Sequence, residues 1–276
     1  VALFLFGCGH IGGSHAQSTP TTAKAHVETS QPSAPEAAAE HTRVSEPDAL
    51  GTSIPERKGE AQITLSLLAV SGFGSAVVAM PKHAGKVPLL VATHGAGGDP
   101  HWECERWARV ARGRWFVACP RGFSLRRGEE GSYYYPDHPT LEREVTAVVA
   151  AARATYGSLV AAKGGVYLGY SQGATMGALM VVEHGAEFPH LVLIEGGSGD
   201  WTLKRAERFK SSGGESVFIV CGTPSCAARA TASARTLERA GLHAETRYAE
   251  GAGHTELGPV GVEAETLLET LAISDS

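Results

Sequence analysis

From residue 61 to residue 276, short β-rich runs alternate with helix-like stretches, and that order admits few architectures. Runs at 62–70 and 74–80 read as a hairpin turning at Ser71-Gly72. Residues 87–93 form an unbroken apolar run, the pattern of a strand covered on both faces. Strand-like segments recur at 115–119, 165–170, 191–194, 217–221 and 244–248. Helical spacing appears at 102–112, 141–156, 172–184, 227–240 and 262–271. Strands separated by helices predict an α/β fold: a mostly parallel eight-stranded sheet with helices on both faces. No internal repeat is visible.

The first sixty residues differ in kind. Residues 14–60 are Ala, Pro, Ser, Thr, Glu and His with almost no large apolar side chains. Such a segment buries too little apolar area to offset its ordering entropy and is expected to be a disordered tether. Residues 1–13 hold Leu5-Phe6-Gly7-Cys8, an apolar stretch ending in Gly-Cys. This is similar to the lipobox of a bacterial lipoprotein signal peptide, which implies lipidation of Cys8 and an exported, envelope-anchored protein. The 276 residues carry 24 basic and 29 acidic side chains, a net charge of −5, so no electrostatic footprint for nucleic acid is present.

The chemistry lies at strand ends. Gly169-Tyr170-Ser171-Gln172-Gly173 sits between a strand and a helix rich in small residues, the context a nucleophile elbow requires. Ser171 is then the nucleophile. His94-Gly95-Ala96-Gly97-Gly98 follows the apolar strand, and an acyl-transfer oxyanion needs two N–H donors there. Gln172 and Ala96 are placed for that role, with Gly97 as the neighbouring choice. A phosphate cradle is disfavoured, because neither G-x-G-x-x-G nor a P-loop lysine occurs. Gly251-Ala252-Gly253-His254 follows the last strand, so a glycine-flexed loop carries His254 as general base.

Taken together, these three motifs resemble the α/β-hydrolases, near the dienelactone hydrolase and phospholipase/carboxylesterase-like branches, over residues 61–276. The resemblance implies an acyl-enzyme serine hydrolase without a large cap domain and without a cofactor. It implies small or medium carboxylic esters as substrates. One departure stands out. These branches usually place the triad acid after the seventh strand, where this chain has Cys221-Gly222-Thr223-Pro224-Ser225-Cys226 and no carboxylate. Glu195, at the end of the preceding strand, is the first choice for the acid, and Asp200 in the same loop is the alternative. A missing acid would leave a catalytically impaired binding protein of the envelope, and a serine peptidase of the same fold is a further reading.

Four cysteines remain beyond Cys8. The expected pairs are Cys221 with Cys226 and Cys104 with Cys119, as suits an exported protein, with free buried thiols as the other outcome. Zinc is disfavoured, since C-x-x-C is absent and no histidine cluster accompanies the cysteines. The loop at 121–140 holds Tyr133, Tyr134 and Tyr135, read as a substrate-binding wall or short lid, or else as tyrosines packed on the body.

Overall fold

The computed structural model describes residues 63–274 apart from 82–84, 127 and 129. The segments 1–13 and 14–60, with Cys8, lie outside the described residues. Strands β1 (Leu65–Leu68) and β2 (Ala76–Ala79) pair antiparallel, and β3 (Leu89–Thr93) follows, buried at every position. Helix α1 (Pro100–Ala111) starts where the Asp99 side chain accepts the His101 N–H at 2.7 Å and Pro100 presets the first turn. It begins two residues before the helical periodicity does. Next come β4 (Phe116–Cys119) and a small hairpin, β5 (Phe123–Ser124) with β6 (Tyr133–Tyr134).

Helix α2 (His138–Tyr156) is capped by Asp137, which accepts the Thr140 N–H at 2.7 Å. Strand β7 (Val166–Tyr170) leads directly into α3 (Gln172–Met180), which tightens into a 3-10 turn over Val181–Glu183. The remaining elements are β8 (His190–Ile194), α4 (Leu203–Ser211), β9 (Ser216–Cys221), α5 (Pro224–Arg239), β10 (His243–Tyr248) and α6 (Gly258–Ser274). Helix α4 is a short element, with Thr202 as its cap and only Ala206 and Phe209 buried. Two inward positions in nine residues give a weak periodic signal.

The main sheet has eight strands in the order β1-β2-β4-β3-β7-β8-β9-β10. Pairing is antiparallel from β1 to β4 and parallel from β4 to β10. Alternation along each strand feeds two cores. Leu89, Val91, Tyr167, Leu191, Leu193 and Ile219 pack under α2, α3, α4 and α5. Leu90, Ala92, Leu168, Val192, Ile194 and Val220 pack under α1 and α6. Each buried Leu, Ile or Val among them stabilises the fold by about 1.5–3 kcal/mol, against about 1 kcal/mol for a helix cap, so burial dominates.

Register sets the site. Thr93 lies opposite Gly169, Tyr170 opposite Ile194, and Ile194 opposite Val220. The residues that follow these strands therefore emerge side by side at one edge. From β3 the chain goes to β4 on one side and returns to β7 on the other, so the carboxyl ends of β3 and β7 flank the crevice where such sheets bind ligands.

One expected disulfide is present and the other is not. Cys221 and Cys226 are bonded, whereas Cys104 and Cys119 are free, buried thiols. Cys104 donates to the Val77 carbonyl at 3.3 Å, and burial pushes the Cys119 thiol well above its ordinary pKa. Between α1 and the sheet the two serve as small apolar side chains.

Candidate active site

Ser171 occupies the one-residue junction between β7 and α3, with φ 50° and ψ −106°. A non-glycine residue at positive φ is strained, and such strain persists only where the surroundings enforce it. Glycine is required on both sides. A Cβ on Gly169 would stand 2.6 Å from the Ala174 nitrogen, and one on Gly173 would stand 2.5 Å from the Thr93 carbonyl oxygen. The turn thus closes against β3 and lifts the serine hydroxyl from the sheet edge.

Three side chains from distant points meet there. Ser171 Oγ is 2.8 Å from His254 Nε2, and His254 Nδ1 is 2.9 Å from Glu195 Oε2. A carboxylate only accepts, so Nδ1 carries the proton and Nε2 is left to accept from the serine hydroxyl. The His254 side chain is 52% exposed while that of Glu195 is 1% exposed. The carboxylate is enclosed and the imidazole opens to solvent.

Glu195 is held from four directions. The Gly222 N–H donates to Oε1, and the Thr223 N–H donates to it at 2.9 Å. The Thr223 hydroxyl donates to Oε2 at 3.1 Å, beside His254. The Cys221–Cys226 disulfide brackets this turn, and its sulfurs lie within 4.8 Å of the carboxylate. The stretch that lacks a carboxylate therefore supplies the donors that orient one. Gly222 and Thr223 were not singled out by sequence reasoning, since a backbone N–H leaves no signature in residue type.

Asp200 stands apart from the histidine. Its carboxyl faces Arg205 and Arg229, and its carbonyl accepts from Arg205 at 2.8 Å. Nor does it cap α4, a role Thr202 fills.

The His94–Gly98 turn lies against the elbow, for a Cβ on Gly95 would stand 3.2 Å from that of Ser171. Gln172 opens α3, where first-turn N–H groups have no intrahelical partner and the helix dipole favours negative charge. The Ala96 N–H also has no hydrogen-bond partner among the described residues. Gly97 is different, because its N–H donates to the Tyr133 carbonyl at 2.7 Å and is not available to an oxyanion.

Two of the three tyrosines hold this turn in place. Tyr135 is wholly buried, stacks on His94 at 4.7 Å and donates its hydroxyl to the Pro120 carbonyl at 3.2 Å. Its N–H donates to the Gln172 side-chain carbonyl at 2.8 Å. Tyr133 is buried beneath the Arg121 guanidinium and exchanges backbone hydrogen bonds with Gly97 and Gly98. Neither ring lines a substrate wall, which corrects that expectation. Tyr134 alone is half exposed.

Many solved structures share this architecture. A dienelactone hydrolase-like promiscuous phosphotriesterase from metagenomic libraries superposes with a TM-score of 0.61 at 16% identity, over 78% of this chain and 99% of that one. The chain has the α/β-hydrolase fold. TT1662 from Thermus thermophilus matches this fold at TM-score 0.59 and 16% identity, over 77% of this chain and 99% of its own. Esterase PE8 does so at TM-score 0.53 and 18% identity, over 76% and 100% respectively. No family model matches the sequence, and no curated protein matches it. On the α/β-hydrolase fold, the turn after β7, the turn after β3 and the loop after β10 sit at one sheet edge, and the carboxylate bonded to His254 comes from the end of β8.

Proposed function

We propose that the chain is a serine hydrolase that cleaves carboxylic esters of small or medium acyl groups through an acyl-enzyme. The observation that carries this reading is the unbroken relay from Glu195 through His254 to Ser171, at 2.9 and 2.8 Å. In the proposed reaction, Ser171 Oγ attacks the ester carbonyl carbon as its proton passes to His254 Nε2. The oxyanion takes hydrogen bonds from the Gln172 and Ala96 N–H groups. Collapse of the tetrahedral intermediate breaks the bond to the alcohol, which leaves with the proton from Nε2. Water then attacks the acyl-enzyme by the same route and regenerates Ser171. Glu195 keeps Nδ1 protonated and stabilises the imidazolium.

The impaired-enzyme reading had one motive, an absent acid, and Glu195 at the histidine removes that motive. A peptidase reading has no specific observation in its favour. The esterase name of a structural neighbour agrees with the esterase reading. The test is turnover of a p-nitrophenyl ester series by the wild-type chain and Ser171→Ala. Hydrolysis of the shorter esters that is abolished in the variant supports the proposal, and equal rates in both refute it.

We further propose that the enzyme works at the envelope, tethered through a lipidated Cys8. Cys8→Ser should then release the protein from the membrane fraction. Unchanged partitioning would reject the anchor.

A further inference from the structure

Tyr170, the residue before the nucleophile, touches both arms of the site. Strand alternation turns its ring to the α1 and α6 side of the sheet, where it is half-buried against the core formed there. The ring presses on the turn after β3, since a Cβ on Gly95 would stand 3.0 Å from its Cδ1 and Cε1. It also meets the imidazole of His254, with ring centroids 5.5 Å apart. The Tyr170 hydroxyl donates to the His254 carbonyl at 3.1 Å, and the direction is fixed because a carbonyl only accepts. Burial, and after it the Glu256 and Glu195 carboxylates, push the phenol above its ordinary value of 10, so the donor stays protonated.

The loop that carries His254 has few other ties at this point. Gly251 and Gly253 have φ of 73° and 80°, and a Cβ added to either would meet nothing within 4 Å. The chain thus approaches the histidine through backbone that its neighbours do not pack against. Before the histidine, the Ala249 N–H donates to the Cys221 carbonyl at 2.8 Å and the Gly253 N–H to the Gly222 carbonyl at 3.0 Å. After it, Arg106 Nη1 lies 3.4 Å from Glu256 Oε2. At His254 itself, among the described residues, the Tyr170 hydroxyl makes the one hydrogen bond to the main chain. The imidazole is fixed separately, by Glu195 at 2.9 Å and Ser171 at 2.8 Å.

These bonds do not all last through a turnover. Once Ser171 Oγ carries the acyl group it has no proton to donate, and its bond to His254 is lost. His254 must then deprotonate the attacking water while held by Glu195 and by its own main chain. We propose that Tyr170 is a positioning residue for deacylation, its hydroxyl holding the His254 main chain so that Nε2 stays at the reaction centre. The inference rests on the serine-hydrolase reading. In this step the water oxygen bonds to the acyl carbon as its proton passes to Nε2. The bond from that carbon to Ser171 Oγ then breaks, Oγ takes the proton back, and the carboxylic acid leaves. Misplacing a reacting group by about 1 Å costs on the order of a hundredfold in rate, so a single main-chain tie matters.

The test is Tyr170→Phe, which keeps the ring and removes the hydroxyl, assayed with p-nitrophenyl butyrate by stopped flow and in the steady state. For this ester kcat/KM reports acylation, and kcat reports deacylation where a burst of p-nitrophenol precedes it. The variant should lose about tenfold in kcat, the upper reach of one hydrogen bond, while kcat/KM stays within about threefold and KM falls in step. Its burst should approach one equivalent of enzyme, with Tm close to the wild-type value. A kcat within about twofold of wild type would overturn the role. Equal losses in kcat and kcat/KM would also overturn it, because a general disturbance of the site slows both steps. A wild-type chain that turns over no ester of the series refutes the hydrolase reading and this inference with it, whereas an active wild type matched by Tyr170→Phe refutes this inference alone.

Discussion

Glu195→Gln changes few atoms and should have a large effect. In the wild type the carboxylate takes N–H groups from Gly222 and Thr223 on Oε1, and the Thr223 hydroxyl and His254 Nδ1 on Oε2. The glutamine amide has one accepting oxygen. With two backbone donors fixed on the Oε1 side, that oxygen must stay there, which turns the NH₂ toward His254. Nδ1 must then accept, the ring proton moves to Nε2, and the group that should take the serine proton already holds one. The same tautomer change in serine proteases lowers turnover about ten-thousandfold, which is about 5 kcal/mol of barrier. The assay is steady-state hydrolysis of p-nitrophenyl butyrate by the wild type, Glu195→Gln and Asp200→Asn, with circular dichroism to verify folding. The expected result is a loss of about 10⁴ in kcat for Glu195→Gln and less than about threefold for Asp200→Asn, whose carboxyl faces Arg205 and Arg229. A folded Glu195→Gln variant within tenfold of wild type, or an equal loss in Asp200→Asn, would refute the tautomer argument.

Three further outcomes follow from the same geometry. Cys221→Ser with Cys226→Ser opens a bridge between residues five apart in sequence and should cost about 2 kcal/mol in urea unfolding. The double variant should also lower kcat, because the bridged turn carries the donors to Glu195; unchanged stability and kcat would contradict this. Ser171→Gly relieves a positive φ and should be inactive yet more stable than Ser171→Ala by about 1–2 kcal/mol in the same assay, and equal stabilities would show no stored strain. Tyr135→Ala should destabilise by about 3–5 kcal/mol, while Tyr135→Phe should leave KM within twofold, since the ring is core and touches no substrate; a large KM change in Tyr135→Phe would restore its binding role.

The parts of the site legible in sequence were those encoded by local backbone demands. Ser171 announced itself because an elbow admits only glycine at Gly169 and Gly173. His254 and Glu195 were legible because residues after parallel strands emerge at one edge, a consequence of topology alone. The Cys104–Cys119 pairing failed because the two cysteines pack as free, buried thiols between α1 and β4, and composition does not encode whether such a pair is bonded. The tyrosines misled for a related reason: an aromatic run in a polar loop looks the same whether its rings face solvent or stack on His94. The two-residue strands β5 and β6 were too short to show alternation.

The central claim is that Ser171 is a nucleophile activated by its relay. The most direct measurement is the intact mass and peptide map of the chain after reaction with a fluorophosphonate. One adduct on the peptide containing Ser171, absent in Ser171→Ala and formed far more slowly in Glu195→Gln, is the predicted result. No adduct on the folded wild type, or an adduct that survives Ser171→Ala, would contradict it.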